Sequence, residues 1–369
     1  MAKRIGILTG GGDCPGLNGA IKWATKTALD PLLAKSRREK MEVVGIREGW
    51  KGLVEVDPDD QTSLDRWILP LDEMVVRTWD RYGGSNLGTS RVNPFSSQED
   101  RSEAVIEHLK GLKIDALVAI GGEDTLGVAN RLFKMGVKIV GIPKTIDSDL
   151  SGTDYTLGYD SALNVITEEV DKLRTTAGSH SRIFIVETMG RHAGWLTLES
   201  GEAAGAYIIL IPEYEFEVDR VCQLLEERRD AGARYSIVVV SEGAKVKGEG
   251  EIYYNDKEDD FGHKALGGIA RFLAKAIEKR CGFETRHVIL SHLQRGGSPS
   301  ARDRLMGRRF GIAAVDLIMR DNYGRMVSSL KGEITSVPLE QAVEKLRTVD
   351  VERYYDTRRY NGRMSTLLP

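Results

Sequence analysis

The sequence predicts an α/β protein with mostly parallel strands, and two observations support this. The centres of segments 137–143 and 235–243 are β-branched and aliphatic without polar alternation, which is typical of parallel strands buried on both faces. Segments with apolar residues at helical spacing lie between such runs. This alternation is typical of βαβ units, in which ligands bind beyond the carboxyl ends of the strands.

The remaining elements follow from the same patterns in chain order. Strands are predicted at 4–9, 42–46, 114–120, 137–143, 183–187, 207–213, 235–243 and 287–290, with a short strand pair after residue 319. Helices are predicted from near Leu17 and at 99–112, 303–319 and 339–346. Two further helices are predicted from apolar residues at helical spacing: Leu163, Ile166, Val170 and Leu173 in one, and Leu266, Ile269, Leu273 and Ile277 in the other. Residues 51–80 are predicted to be a strand-rich excursion, and residues 246–263 an exposed hairpin or insertion without chemistry.

Composition excludes several classes of protein. The chain has 369 residues, 41% hydrophobic and 29% charged, with a net charge of −3, so no nucleic acid or membrane partner is expected. Its start lacks the apolar core of a signal peptide. Cys14, Cys222 and Cys281 are odd in number and far apart, which predicts no disulfide framework, a reducing compartment and a cytoplasmic location.

Glycine-rich loops are the first candidate functional feature. Residues 10–18, 83–91 and 121–127 combine glycines with hydroxyl or charged side chains, and the first and third lie between a predicted strand and a helix. This arrangement can cradle a phosphate, although tight turns have the same composition. Neither the Walker A nor the Rossmann glycine pattern is present. Asp124 is either a helix cap or, with Glu123, part of a Mg²⁺ site.

The segment after the strand at 137–143 is the strongest candidate. Lys144, Thr145, Asp147 and Asp149 crowd together at a predicted strand end. Charged groups in such a place cost desolvation energy unless they bind something, whereas a polar loop that caps the next segment is the alternative.

Five motifs resemble those of one enzyme family. Residues 10–18, 121–125, 143–147, 189–194 and 292–297 occur in the order found in 6-phosphofructokinases, and the resemblance covers roughly residues 4–345. It implies two doubly wound α/β/α lobes with mostly parallel sheets. Residues 1–158 with 296–345 would hold the phosphoryl donor, residues 159–295 the sugar phosphate, and 346–369 would form a C-terminal tail. It also implies a homodimer or homotetramer with shared active sites.

The resemblance further implies a role for each matching residue. Asp147 would be the base for the 1-hydroxyl of fructose 6-phosphate, Thr145 and Arg191 would bracket the transferring phosphoryl group beside Lys144, and Glu123 would hold Mg²⁺. The donor would contact Gly12, Arg91, Gly122, Asp124 and Thr125. The sugar phosphate would contact Met189, Gly190, Arg191, Glu242, His292 and Arg295, with Arg182 and Arg286 reaching it from a neighbouring subunit.

The donor depends on two positions at which ATP-using relatives tend to have glycine. Asp124 would place a carboxylate where the α-phosphate of ATP must lie, and Lys144 would add a cation for a smaller donor. This pairing resembles the pyrophosphate-dependent branch. An ATP enzyme on the same scaffold and a non-catalytic sugar-phosphate or nucleotide sensor are the alternatives, and sedoheptulose 7-phosphate is a possible second acceptor.

The chain also departs from the family's pattern. Ser148 stands where Asn is usual and Ser291 where Gly is usual. Ala231 and Ala233 replace effector-binding lysines of regulated bacterial relatives, which argues against regulation by ADP and phosphoenolpyruvate.

Overall fold

The structure, a computed structural model, describes residues 3–30, 41–248, 250–251, 253–258 and 264–364. Two mostly parallel sheets organise these residues. The strands in chain order are β1 (Lys3–Thr9), β2 (Met41–Ile46), β3 (Ile68–Leu71), β4 (Ala116–Gly121), β5 (Ile139–Pro143), β6 (Ile183–Thr188), β7 (Ile208–Leu210), β8 (Ser236–Ser241), β9 (Tyr253–Glu258), β10 (Lys264–Leu266), β11 (Thr285–Ile289), β12 (Arg325–Leu330), β13 (Glu333–Pro338), β14 (Tyr355–Asp356) and β15 (Asn361–Gly362).

Helices connect the strands and cover both sheets. In chain order they are α1 (Leu17–Leu29), α2 (Trp50–Glu55), α3 (Gln61–Trp67), α4 (Glu73–Val76), α5 (Ser102–Gly111), α6 (Glu123–Lys134), α7 (Tyr159–His180), α8 (Trp195–Ala203), α9 (Val218–Asp230), α10 (Ile269–Cys281), α11 (Ala301–Met319), α12 (Leu339–Glu344) and α13 (Val351–Tyr354). No helix within the described ranges has both the length and the apolar character needed to cross a bilayer.

The large sheet has the strand order β13-β12-β5-β4-β1-β2-β3. Its strands from β12 to β2 run parallel, and the two edge strands are antiparallel. The side chains of β4 alternate between two cores: Val118 and Ile120 join the core of α1 and α11, whereas Leu117 and Ala119 join that of α5 and α6. The sheet is therefore covered by helices on both faces.

The smaller sheet has the order β11-β6-β8-β7, and all its strands are parallel. Its central strands β6 and β8 are buried along their whole length. The chain passes from β5 through α7 to this sheet and returns to the large sheet at β12. The predicted α/β class with mostly parallel sheets is confirmed, while the lobe boundaries at 158 and 295 stay predictions.

Residues 51–80 contradict the predicted strand-rich excursion. They form α2, α3 and α4 with only β3 as a strand. Capping explains the difference: the Asp60 carboxylate accepts from two backbone N–H groups of α3, and the Asp72 carboxylate accepts from Val75 N at 2.8 Å. Such caps favour short helices whose polar and apolar alternation was misread as β structure. β9 and β10 pair antiparallel, but β10 begins only after the predicted hairpin or insertion at 246–263. Residues 249, 252 and 259–263 of that predicted segment lie outside the described residues.

The cysteine prediction is also wrong in part. Cys222 on α9 and Cys281 at the end of α10 form a disulfide, with their Cα atoms 6.1 Å apart. These helices pack side by side, so 59 residues of sequence separation do not keep the thiols apart. The expectation of a reducing compartment loses that support. Cys14 is free and buried.

Candidate active site

The carboxyl ends of strands from both sheets open onto one cavity of about 560 Å³. Loops after β1, β4, β5, β6, β8 and β11 contribute to it. Its lining residues are Gly11, Gly12, Arg91, Gly122, Glu123, Asp124, Thr125, Lys144, Thr145, Asp147, Asp149, Met189, Arg191, His192, Glu242, Leu266, Ser291, His292 and Arg295. Four of these residues are Arg or Lys, and five carry a carboxyl group. The cavity therefore suits a phosphorylated ligand together with a metal cation.

The glycine loop after β1 requires its glycines for close approach. A Cβ at Gly12 would lie 2.6 Å from Arg295 Nη1, and Arg295 donates a hydrogen bond to Asp13 O at 3.1 Å. Gly11 has a φ of 75°, a left-handed conformation that glycine adopts without strain. The loop and Arg295 therefore form one surface of the cavity, although they are far apart in the sequence.

The start of α6 supplies a second phosphate-sized surface. Its N-cap is Gly122, and no side chain caps it, so the first N–H groups of the helix remain available to an anion. Glu123 and Asp124 lie in the first helical turn rather than at the cap position. The alternative of Asp124 as the helix cap is therefore wrong.

Lys144 connects the loop after β5 to the loop after β1. Only 3% of its surface is exposed, and its Nζ donates a hydrogen bond to Gly12 O at 2.6 Å. Burial is the main influence on its amine and lowers the pKa of Lys144. The buried amine of Lys144 can therefore interact with a negatively charged ligand in the cavity.

Three carboxyl groups of the cavity influence one another electrostatically. Asp147 Oδ1 and Asp149 Oδ1 are buried and have no hydrogen-bond partner in the described residues. Burial raises the pKa of Asp147, while Arg295 and Lys144 pull it back. Burial, followed by repulsion from Asp147, raises the pKa of both Asp149 and Glu242 to about 7. Unpaired carboxylate oxygens in a cavity are candidates for binding a proton donor or a metal ion.

Backbone geometry fixes this acidic loop. The N–H of Asp147 donates to Thr145 Oγ1 at 3.1 Å, and Thr156 Oγ1 donates to Thr145 O at 2.6 Å. Ser148, between the two aspartates, has a φ of 54°. Gly and Asn adopt a left-handed φ more readily than other residues, so the serine is less suited to this turn than the Asn that is usual in the family.

The loops after β6 and β11 meet on the opposite side. Gln294 is fully buried; its side-chain oxygen accepts from Met189 N at 3.1 Å, and its amide donates to Ser291 O at 3.0 Å. Ser291 has a φ of 42°, again at a position where glycine would be unstrained. Ser241 Oγ donates to Gly190 O and so holds the loop after β6 against β8.

A family model described as Phosphofructokinase matches residues 4–318. The chain belongs to the phosphofructokinase family. The "Pyrophosphate--fructose 6-phosphate 1-phosphotransferase" of Amycolatopsis methanolica is 44% identical over 97% of this chain and 100% of that protein. The "ATP-dependent 6-phosphofructokinase 3" of Streptomyces coelicolor is 44% identical over 95% and 98%, respectively. The crystal structure of Pichia pastoris phosphofructokinase matches with a TM-score of 0.79 and 32% identity, and covers 93% of this chain but 38% of the yeast chain.

In this phosphofructokinase, most of the predicted site residues share the cavity. Three of them do not line it: Gly190, Arg182 and Arg286. Arg182 and Arg286 both form ion pairs with Glu284, each with an Nη2 atom 2.7 Å from Glu284 Oε1. Their predicted role across a subunit boundary stays a prediction.

Sequence reasoning missed several lining residues. Asp149 belongs to the predicted acidic segment but has no predicted role in the site, although its position two residues after Asp147 is the signal that indicates it. His192 lies inside the motif 189–194, and Ser291 directly precedes the motif 292–297, so neighbouring residues of the motifs indicate both positions. Leu266 is predicted to be part of a helical stripe, and this is wrong: it ends β10, and α10 begins only at Ile269. Leu266 therefore reaches the cavity through β10, which no local pattern in the sequence indicates.

Proposed function

We propose that this phosphofructokinase transfers a phosphoryl group from pyrophosphate to the 1-hydroxyl of fructose 6-phosphate and forms fructose 1,6-bisphosphate. The observation that carries the proposal is the buried Oδ1 of Asp147, which has no hydrogen-bond partner among the described residues and lies in a cavity with Lys144, Arg191 and Arg295. Phosphoryl transfer depends mainly on charge stabilisation and positioning, and little on covalent catalysis by the protein. It therefore needs cations, N–H groups and one base, and these groups are present in the cavity. Relatives that carry this activity in their names support it.

Asp147 is the proposed base. Its unpartnered oxygen can accept the proton of the sugar 1-hydroxyl, and the cations Arg295 and Lys144 favour its ionised form against the effect of burial. Arg191 and Thr145 would hold the phosphoryl oxygens as charge redistributes. Gly12, Gly122 and the first turn of α6 would receive the donor, and Met189, Glu242, His292 and Arg295 the sugar phosphate.

A Mg²⁺ ion fits the carboxyl groups of the cavity. Within the described ranges no three potential ligand residues converge on one point. However, Mg²⁺ in phosphoryl-transfer sites often uses one or two carboxylates and takes its other ligands from water and phosphate. Glu123 and Asp149 lie near enough for Glu123 to raise the pKa of Asp149. We propose that Glu123, with Asp149, holds Mg²⁺, which would neutralise donor charge.

Lys144 and Asp124 support pyrophosphate as the donor. Both line the same cavity as Gly12 and Gly122, the residues proposed to receive the donor. A carboxyl group at Asp124 is repulsive toward a third phosphate but tolerable where the donor ends after two. ATP is the second candidate, because a relative of equal identity is named as ATP-dependent.

Subunit sharing and location complete the proposal. A homodimer or homotetramer would bring Arg182 and Arg286 of one subunit to the sugar phosphate of the next, since both lie outside this chain's own cavity. A cytoplasmic location suits substrates that are charged phosphate esters. Mixed oligomers of Asp147→Ala and Arg182→Ala subunits should regain activity if sites are shared, and no regain in verified hybrids would contradict sharing.

The direct test is incubation with fructose 6-phosphate, Mg²⁺ and pyrophosphate, with phosphorus NMR of the products. Fructose 1,6-bisphosphate and orthophosphate should appear in equal amounts. Sugar-phosphate binding without product from either pyrophosphate or ATP would overturn the proposal in favour of a sensor.

A further inference from the structure

Residues 346–349 follow α12 and lie against the acidic loop of the cavity. We call them the C-terminal strap. Leu346 forms an isolated antiparallel bridge with Leu150, and the N–H of Arg347 donates to Asp149 O at 2.7 Å. The strap therefore pairs with the backbone directly after the proposed base, although about 200 residues separate the two in sequence.

Arg347 makes the most specific contacts of the strap. Its Nη1 donates to both the carbonyl oxygen and the Oγ of Ser148, each at 3.0 Å. Its guanidinium lies 4.2 Å from the ring centre of Trp195, and Trp195 Nε1 donates to Arg347 O at 3.0 Å. The guanidinium is thus held by a buried aromatic ring and directed at the residue between Asp147 and Asp149.

Ser148 is the residue that needs such support. Its φ of 54° is uncommon for a side chain other than Gly, Asn or Asp, and such strain persists only where surrounding contacts impose it. A relaxed φ at Ser148 would change the directions of the Asp147 and Asp149 carboxylates together. The two hydrogen bonds from Arg347 hold the turn where the chain lacks a residue that favours it.

Glu213 links the strap to the loop that carries Arg191. The Oε1 of Glu213 accepts from Gly194 N and from Val349 N, each at 2.8 Å. Glu213 therefore connects the strap to the end of the loop after β6. One short segment is thus bonded directly to the loop that holds the proposed base and, through Glu213, to the loop that carries Arg191.

We propose that Arg347 is a positioning residue, and that the C-terminal strap fixes the relative placement of Asp147 and Arg191 for phosphoryl transfer. The inference rests on the proposed function. It predicts that loss of Arg347 affects turnover more than substrate affinity, because misplacement by about 1 Å can cost roughly 10²-fold in rate.

The test compares Arg347→Met, which keeps a stem over Trp195 but no donor, with Arg347→Lys, which keeps the charge. The control is Arg359→Ala, since Arg359 is a solvent-exposed tail residue paired with Asp356. We expect kcat to fall about 10–100-fold in Arg347→Met, less in Arg347→Lys, and not in the control, with KM for both substrates within about threefold. Unchanged kcat in Arg347→Met, in an active parent enzyme, would overturn the inference.

A second-site variant separates positioning from a general folding role. Glycine adopts the conformation of Ser148 without strain, so adding Ser148→Gly to Arg347→Met should restore part of kcat. If the activity loss in Arg347→Lys merely follows a loss of thermal stability, and the double variant recovers no kcat, the strap has only a structural role. An inactive parent enzyme would instead refute the proposed function itself.

Discussion

Lys144→Met should remove catalysis without unfolding the protein. The buried amine of Lys144 donates to Gly12 O at 2.6 Å, and its pKa is lowered by burial, so the folded protein bears a desolvation cost for this cation. Methionine has a similar length and no charge. Its apolar stem should offset the lost hydrogen bond, and we expect the free energy of unfolding to change by about 1 kcal/mol or less in either direction.

The effect on turnover should be much larger. If the Lys144 amine stabilises charge on pyrophosphate as the bond breaks, its loss should cost about 3–4 kcal/mol of transition-state stabilisation, or roughly 10²–10³ in kcat. KM for pyrophosphate should rise less than kcat falls. Steady-state kinetics with pyrophosphate measures both constants, and urea unfolding measures stability.

A matched control is Lys134→Met, since Lys134 forms an exposed ion pair with Glu340 at 2.6 Å. Exposed pairs contribute about 1 kcal/mol or less, so the control should keep kcat and nearly all its stability. A Lys144→Met enzyme with normal kcat, or one whose activity loss merely follows unfolding, would refute the role of Lys144.

Three further outcomes follow from the site. Asp147→Ala should lower kcat by roughly 10²–10⁴ with little change in KM for fructose 6-phosphate, and near-normal turnover would exclude it as the base. Gly12→Ala should displace the Arg295 guanidinium, which lies 2.6 Å from the new Cβ, and raise KM for the sugar phosphate; an unchanged KM would show that Arg295 does not bind it. Burial raises the pKa of Asp149 to about 7, so its stability contribution is full below its unfolded pKa and is lost as pH rises toward 7. Asp149→Asn should therefore gain about 1–2 kcal/mol over the parent at pH 8 in urea unfolding and less at pH 5, and an equal difference at both pH values would contradict the shift.

The sequence was most informative where one strand and the loop after it carry the signal. The apolar run of β5 followed by Lys144, Thr145 and Asp147 predicted both the strand and the position of chemistry, because both depend on local order. Glycine loops were predictable for the same reason. The contact between Gly12 and Arg295 was not, since it joins strands of different sheets.

Long-range contacts explain what sequence reasoning missed. Arg347 lies in what was predicted to be a polar tail, and nothing local shows that it meets Ser148. Cys222 and Cys281 pair only because α9 and α10 pack together. Gln294 looked like an ordinary motif position, yet its buried amide connects the loops after β6 and β11.

The most direct test of the account is the donor preference of the parent enzyme and of Asp124→Gly, measured as kcat/KM for pyrophosphate and for ATP with fructose 6-phosphate and Mg²⁺. We expect the parent enzyme to use pyrophosphate and to turn over ATP poorly or not at all. Asp124→Gly should relieve repulsion and gain weak ATP use, short of full activity, because only one of the two donor-selecting positions is changed. A parent enzyme that uses ATP efficiently and ignores pyrophosphate would contradict the assignment of Asp124 and Lys144 as the residues that select the donor.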